Sequence, residues 1–207
     1  MDSTSPPPHT FTPAPPPLTP KSARTRALLL ALSADLFIER GYEAVSMQDI
    51  ADAAELTKGA LYGHFRSRAQ LLIEVVRWKL AQLDERSDFE ELNLEEGIQM
   101  LGAPQRRDLR RLEVDAAAAA RYDEEVAAGL AELQQERHHL IRRTAEDFPD
   151  PQAAAWFIAV IEAGIGMSDA AGVPTPDRDR VEATLVAALM GVYRGLGPEA
   201  ARPSEHG

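Results

Sequence analysis

Cysteine is absent from the 207 residues, which excludes a disulfide framework, a thiolate metal site and a thiol nucleophile, and fits a reducing cytosol. Aromatic residues make up only 6% against a hydrophobic content of 44%, a balance that suits closely packed helices better than a sandwich or barrel. With no convincing strand pattern either, the expected class is all-α. No nucleophile elbow, phosphate-cradling loop, carboxylate-metal motif or Ser/His/Asp set is visible, so no catalytic residue and no cofactor is assigned. His138 and His139 are adjacent and point in different directions on a helix, so no metal site is assigned. No apolar run is read as a membrane span, and residues 1–20 lack both a basic n-region and an apolar h-region. The expectation is a soluble, cytoplasmic protein with no membrane partner.

What the chain has in excess is acid, and it is unevenly spread. The formal net charge is -11, yet residues 21–80 carry nine Lys and Arg against seven Asp and Glu, while residues 81–207 carry 13 against 25. A near-neutral first part with a basic tip can meet a polyanion locally while the acidic remainder weakens non-specific binding.

The basic tip lies in residues 46–68, which read as two short helices joined by a tight turn. Ser46 is placed to cap the first, with Asp49 in the reciprocal position, and Ile50, Ala51 and Ala54 give it a small apolar inner face. Residues 54–56 form the turn. Thr57 is placed to cap the second helix, whose Leu61 and Phe65 point inward at i, i+4 and leave Lys58, Gly59, Tyr62 and His64 outward. No carboxylate occurs between positions 56 and 73, whereas Lys58, Arg66 and Arg68 are cationic. Such a segment suits a DNA groove.

Before it, residues 1–20 hold eight prolines and are expected to form a disordered tail. A first helix over about 22–40 shows Leu29, Leu32, Leu36 and Phe37 at helical spacing and stops at Gly41. After it, Ser67 with Gln70 opens a long helix carrying Leu71, Leu72, Val75, Val76 and Leu80. A short helix is expected between Asn93 and Gly102, then helices over 105–121 and about 123–147. Asp150-Pro151 and Thr175-Pro176 are cap-plus-proline starts for the last two helices, giving nine in all. The expected division is a tail (1–20), a helix-turn-helix domain (21–66), a helical effector-binding and dimerisation domain (67–197) and a second tail (198–207).

Residues 26–72 resemble the DNA-binding domain of the TetR family of bacterial transcription regulators. The resemblance rests on Arg26, Leu36-Phe37, Gly41-Tyr42, Ser46, Asp49-Ile50-Ala51, the run from Thr57 through Lys58, Gly59, Leu61, Tyr62 and His64 to Phe65, and Ser67-Arg68 with Leu71. It implies that Gln48, Thr57, Lys58, Gly59 and Tyr62 touch bases or phosphates, beside the cap at Ser46, and that His64 and Arg68 hold the phosphate backbone. It also implies a homodimer through the last two helices, whose seam is assigned to Ile161, Gly164, Ile165, Leu185, Leu189 and Val192. Two positions depart from the family pattern: Glu55 replaces the usual glycine of the turn, and Arg68 replaces the usual lysine.

The body offers fewer landmarks. Trp78, Met100, Tyr122, Trp156 and Phe157 are candidates for an effector pocket, against a plain-core reading. The pairs Arg106/Arg110 and Arg107/Arg111, at i, i+4, suit either an anionic effector or ion pairs within the protein. The favoured function is a ligand-responsive repressor that binds a palindromic double-stranded operator as a homodimer and is released by a small apolar or amphipathic effector. The alternative is a helical adaptor of the same fold with weak or no DNA binding, should Glu55 disable the turn.

Overall fold

The computed structural model describes residues 19–84, 103–144, 150–174 and 178–195. They form eight α-helices: α1 (Pro20–Arg40), α2 (Met47–Ala53), α3 (Lys58–Tyr62), α4 (Arg68–Asp84), α5 (Arg107–Ala119), α6 (Glu124–Thr144), α7 (Pro151–Ala170) and α8 (Arg178–Gly195), with 3-10 turns at Tyr42–Ala44 and Pro104–Arg106. There is no strand among the described residues, and the chain is all-α as its composition implies. Residues 1–18 of the first expected tail, the whole second tail, the Asn93–Gly102 helix and the Thr175-Pro176 start lie outside the described residues, and α1 begins at Pro20, inside the expected tail.

Local chemistry sets most helix ends. Thr19 Oγ1 accepts from Ser22 N at 3.3 Å, with Pro20 at the first helical position, where its missing N–H costs nothing. Gly41 ends α1 at φ 82°, donating to Phe37 O at 2.8 Å, a conformation open to glycine without Cβ strain. The Asp150 carboxylate accepts from Gln152 N and Ala153 N at 3.1 and 2.9 Å and opens α7. Asp123 does the same for α6.

α1 buries Leu29, Leu30, Ser33, Ala34 and Phe37, so its inner face is rotated slightly from the expected one, and Leu32 and Leu36 lie at its edges. It packs on α2 and α4. α4 is the spine: Leu71, Leu72, Val75 and Val76 are fully buried, and its opposite side receives α5 and α6. The approach of α6 is close, since a Cβ on Gly129 would stand 2.7 Å from Ile73 Cγ1. One apolar cluster therefore runs from Leu29 of α1 through α4 to Leu109 and Leu112 of α5 and Val126 and Leu133 of α6.

α7 corrects one expectation. Its 20 residues include a window of mean hydropathy 1.3, so by length and composition it is long and apolar enough to cross a membrane. Its inner face, however, carries ion pairs to its neighbours. Glu162, 3% exposed, accepts from Arg106 Nε at 3.0 Å and pairs with Arg137, while Arg110 forks onto Asp169 at 2.7 and 2.9 Å. Arg137 also pairs with Glu113. The Arg106 and Arg110 pair is thus engaged with carboxylates of the chain itself. Two of the charges that looked available to an anionic ligand are already neutralised in the α5–α6–α7 packing.

Candidate nucleic-acid interface

The helix-turn-helix is built as its sequence requires. Ser46 and Asp49 form a reciprocal capping box, Asp49 N donating to Ser46 Oγ at 3.2 Å and Ser46 N to Asp49 Oδ2 at 2.7 Å. Those bonds from Ser46 hold the exposed Asp49 carboxyl below its ordinary range. Met47, Ile50 and Ala51 are buried beneath them. α2 then closes in a Schellman arrangement: Leu56 N donates to Ala51 O at 2.9 Å, and Glu55 stands left-handed at φ 54°. Glycine is the usual occupant of that position because an L-residue there crowds Cβ against the carbonyl. Glu55→Gly is expected to raise stability by up to about 1 kcal/mol. Thermal unfolding checks this; a lower melting temperature would mean that the Glu55 side chain contributes more than its backbone costs.

α3 follows at once. Thr57 Oγ1 accepts from Ala60 N at 3.1 Å, and Leu61 and Phe65 are both 0% exposed, which fixes which side faces out. Thr57, Lys58, Gly59 and Ala60 lie on the surface and Tyr62 is 45% exposed. His64 is half-buried beside Phe65, with ring centroids 6.4 Å apart. At Gly59 an added Cβ would meet only Thr57 Oγ1, at 4.0 Å, so that backbone is open to approach by another molecule. Gln48 is exposed on α2, its amide tied to Asp52 Oδ1 at 2.7 Å, and Ser46 is exposed at the cap.

Arg68 is the member of the expected set that stands apart. Its Nη1 donates to the carbonyls of Tyr42 and Val45, both at 3.1 Å, and of Glu43 at 3.4 Å. Nη2 lies 3.3 Å from Glu43 Oε2, and the guanidinium stacks 4.1 Å from the Tyr42 ring centroid. The two protons of Nη1 are shared among the three carbonyls while Nη2 faces Glu43 and the plane covers the Tyr42 ring, a combination a lysine has no planar group to make. Its work in this structure is to fasten the α1–α2 connection to α4 rather than to reach outward. Burial pushes the Tyr42 hydroxyl up, with Arg68 opposing. Tyr42 N also donates to Asp115 Oδ2 at 2.9 Å, tying the connection to α5. Arg66, 78% exposed, meets Glu125 of α6 at 3.2 Å. At the start of α4, Ser67 Oγ accepts from Gln70 N at 2.9 Å, while the Gln70 amide oxygen takes Arg66 N at 2.8 Å.

The family profile of bacterial regulatory proteins, tetR family, matches residues 29–75, from α1 through the first half of α4. The chain is 46% identical over 55 residues to the HTH-type transcriptional repressor KstR2 of Mycolicibacterium smegmatis, covering 27% of each protein.

The helix-turn-helix of this chain is similar to that of the TetR family.

The chain is also 42% identical over 71 residues to KstR2 of Rhodococcus jostii, covering 33% of this chain and 35% of that protein. The matched segment thus spans about a third or less of the length of these relatives. The whole fold is similar to that of a transcriptional regulator from Rhodococcus sp. Rha1, with a TM-score of 0.68 at 16% identity over 82% of this chain and 96% of the other. The family profile is thus confined to residues 29–75, while the fold likeness extends over most of the chain.

The expected effector-pocket residues do not converge. Trp78 is half-buried against the core, with Lys79 Nζ 5.7 Å from its ring centroid. Tyr122 is 85% exposed, and Trp156 and Phe157 are 62% and 43% exposed. Tyr122 lies in the α5–α6 turn, and the other two lie on the outer face of α7. Met100 lies outside the described residues.

The α7 face continues through Val160 and Met167, a stripe at helical spacing with Gly164 in its path and nothing within 4 Å of that glycine's Cβ position. Ile161 and Ile165 of α7 and Leu185 of α8 are half-buried, and the side chains of Leu189 and Val192 lie outside the described residues. Gly166 faces inward, where an added Cβ would stand 3.3 Å from Arg110 Cβ, so its small size serves the α5–α7 contact within the chain.

Proposed function

We propose that this chain is a DNA-binding transcriptional regulator, a repressor by likeness, that engages a palindromic double-stranded operator as a homodimer and is released by a small apolar or amphipathic effector. The observation that carries the reading is the outer face of α3: Thr57, Lys58, Gly59 and Tyr62 stand in solvent while Leu61 and Phe65 are fully buried, within a stretch free of carboxylates. Such a helix enters a major groove with its short N-terminal half leading. Relatives matched over 55 and 71 residues are named as transcriptional repressors. The left-handed Glu55 supports DNA reading over the adaptor alternative, because the turn closes around it with both α2 carbonyl bonds made.

Residues 21–66 serve as the DNA-reading part and residues 67–197 as the effector and dimer part, although the two share one apolar cluster. Two copies join along the apolar stripe of α7, with α8 beside it, so that twofold symmetry sets the spacing of the two α3 helices. α4 begins beside α3 and buries Val75, Val76 and Leu80 in the body, so a ligand that displaces its far half tilts the near half.

Lys58→Ala tests the groove-facing assignment. It is expected to remove about one phosphate contact per subunit, lowering the slope of log affinity against log salt by about 2 for the dimer. Titrations at several salt concentrations check this; an unchanged slope would move the contact surface off α3. Arg68→Ala, by contrast, is expected to lower stability and to leave that slope intact.

A further inference from the structure

Four charged side chains link the end of α3 to α6. Arg26 of α1 donates from Nη1 to the main-chain oxygen of His64 at 2.8 Å, two residues past the end of α3. The same guanidinium lies 4.3 Å from the centroid of the buried Phe65 ring, and its Nη2 is 3.2 Å from Glu74 Oε2 on α4. The other Glu74 oxygen lies 3.8 Å from Arg77 Nη1. Arg77 in turn forks onto Glu136 of α6, Nη2 at 3.1 Å and Nε at 3.4 Å. One carboxylate, Glu74, is thus shared between a guanidinium that grips the end of α3 and a guanidinium anchored on the body.

The consequence follows from the size of α3. Five residues make only about one and a half turns, too few to keep their own orientation without outside contacts. The front is fixed by the Thr57 cap and the underside by Leu61. The rear depends on Phe65 and on the guanidinium stacked over it. A planar fork that bonds a carbonyl, covers a ring and faces a carboxylate has one orientation available, and that orientation moves with the carboxylate. Without Glu136, Arg77 turns wholly to Glu74 and draws it from Arg26. Without Arg77, Glu74 is left to Arg26 alone. Removing two adjacent members of the chain therefore acts in opposite directions.

We propose that Arg26 is the positioning residue for the rear of α3 and that Glu74, shared with Arg77, passes the position of α6 to it. The proposal rests on the DNA-binding reading only for its affinity readout. The test uses the full chain with Arg26→Gln, Glu74→Gln, Arg77→Gln and Glu136→Gln, and Arg26→Lys, which keeps the charge and loses the fork, beside the first.

In the DNA-free protein, hydrogen exchange at the amides of Gly63, His64 and Phe65 is expected to quicken by about two- to fivefold in the Arg26, Glu74 and Glu136 variants, the range of partly exposed ion pairs. It stays level or slows in Arg77→Gln. On operator DNA, Glu136→Gln weakens binding by a similar factor with the salt slope unchanged, since no phosphate contact is lost. That loss disappears in the Arg26→Gln background. A merely structural role would move melting temperature and affinity together and show no such coupling.

Additive losses for Arg26→Gln and Glu136→Gln, or the same sign for Arg77→Gln and Glu136→Gln, overturn the proposal. The expected exchange pattern in a protein that binds no operator would sink the DNA-binding reading and leave the proposal standing. Operator binding by the wild type with additive variants would do the reverse.

Discussion

Glu162→Ala is expected to lower the free energy of unfolding by about 3–5 kcal/mol, the cost of breaking a buried ion pair from one side. In this chain Glu162 is 3% exposed and faces both Arg106, itself 5% exposed, and Arg137. Deleting the carboxylate takes the buried partner from Arg106 and leaves Arg137 with Glu113. For a chain of this length the loss corresponds to a fall in melting temperature on the order of 10 °C; a fall of one or two degrees would mean that water already reaches the cluster.

Acid should act in the same direction. Burial alone would push the Glu162 carboxyl up, but Arg137 and Arg106 more than offset it and hold it below the ordinary carboxylate value. A depressed folded-state value means stability present above the unfolded value and lost as pH falls through the folded one. Glu113 has the opposite sign, because burial raises it further than Arg137 lowers it, and the Glu162 carboxylate adds to the rise. Its contribution is full below the unfolded value and fades as pH climbs through the folded one. Unfolding of Glu113→Gln should therefore lack the decline on the upper side while keeping the loss in acid.

Val160→Glu is expected to give a monomer of unchanged helix content and to weaken operator binding by on the order of 100-fold, because one half-site alone forfeits the effective concentration that links the two. Val160 is 46% exposed between Phe157 and Met167, so a carboxylate there costs the isolated chain little. Against a partner's apolar stripe it would be buried without a counter-ion, at a cost of several kcal/mol. Light scattering decides the matter, and a variant that stays dimeric would place the interface elsewhere.

Features set by neighbours in the sequence were legible before the structure. The caps at Ser46, Thr57 and Asp150 use bonds two or three residues long, whereas the left-handed Glu55 is suggested only by the glycine usual there in the family it resembles. The inward pair Leu61 and Phe65 follows from spacing alone. What depended on distant partners was not legible. Arg68 reads as an outward cation until Tyr42, Glu43 and Val45, 23 to 26 residues earlier, are seen to receive it. Arg137 joins Glu113 and Glu162 across separations of 24 and 25 residues, and no local pattern marks it. Nor does sequence separate an aromatic that lines a core from one that lies on the surface, as Trp156 and Phe157 do. Charges at Glu162 and Asp169 hid the apolar length of α7, since each interrupts the run yet faces inward to an arginine.

The central claim is that two copies of α3 read one duplex, and it is tested most directly by footprinting the protein on its own upstream region at moderate salt, with stoichiometry measured on the protected fragment. The account predicts protection of an inverted repeat with half-site centres about one helical turn apart or a multiple of it, two protomers per site, and loss of protection on scrambling either half. Uniform coating without sequence preference, or no binding at salt concentrations that permit specific complexes, would contradict it.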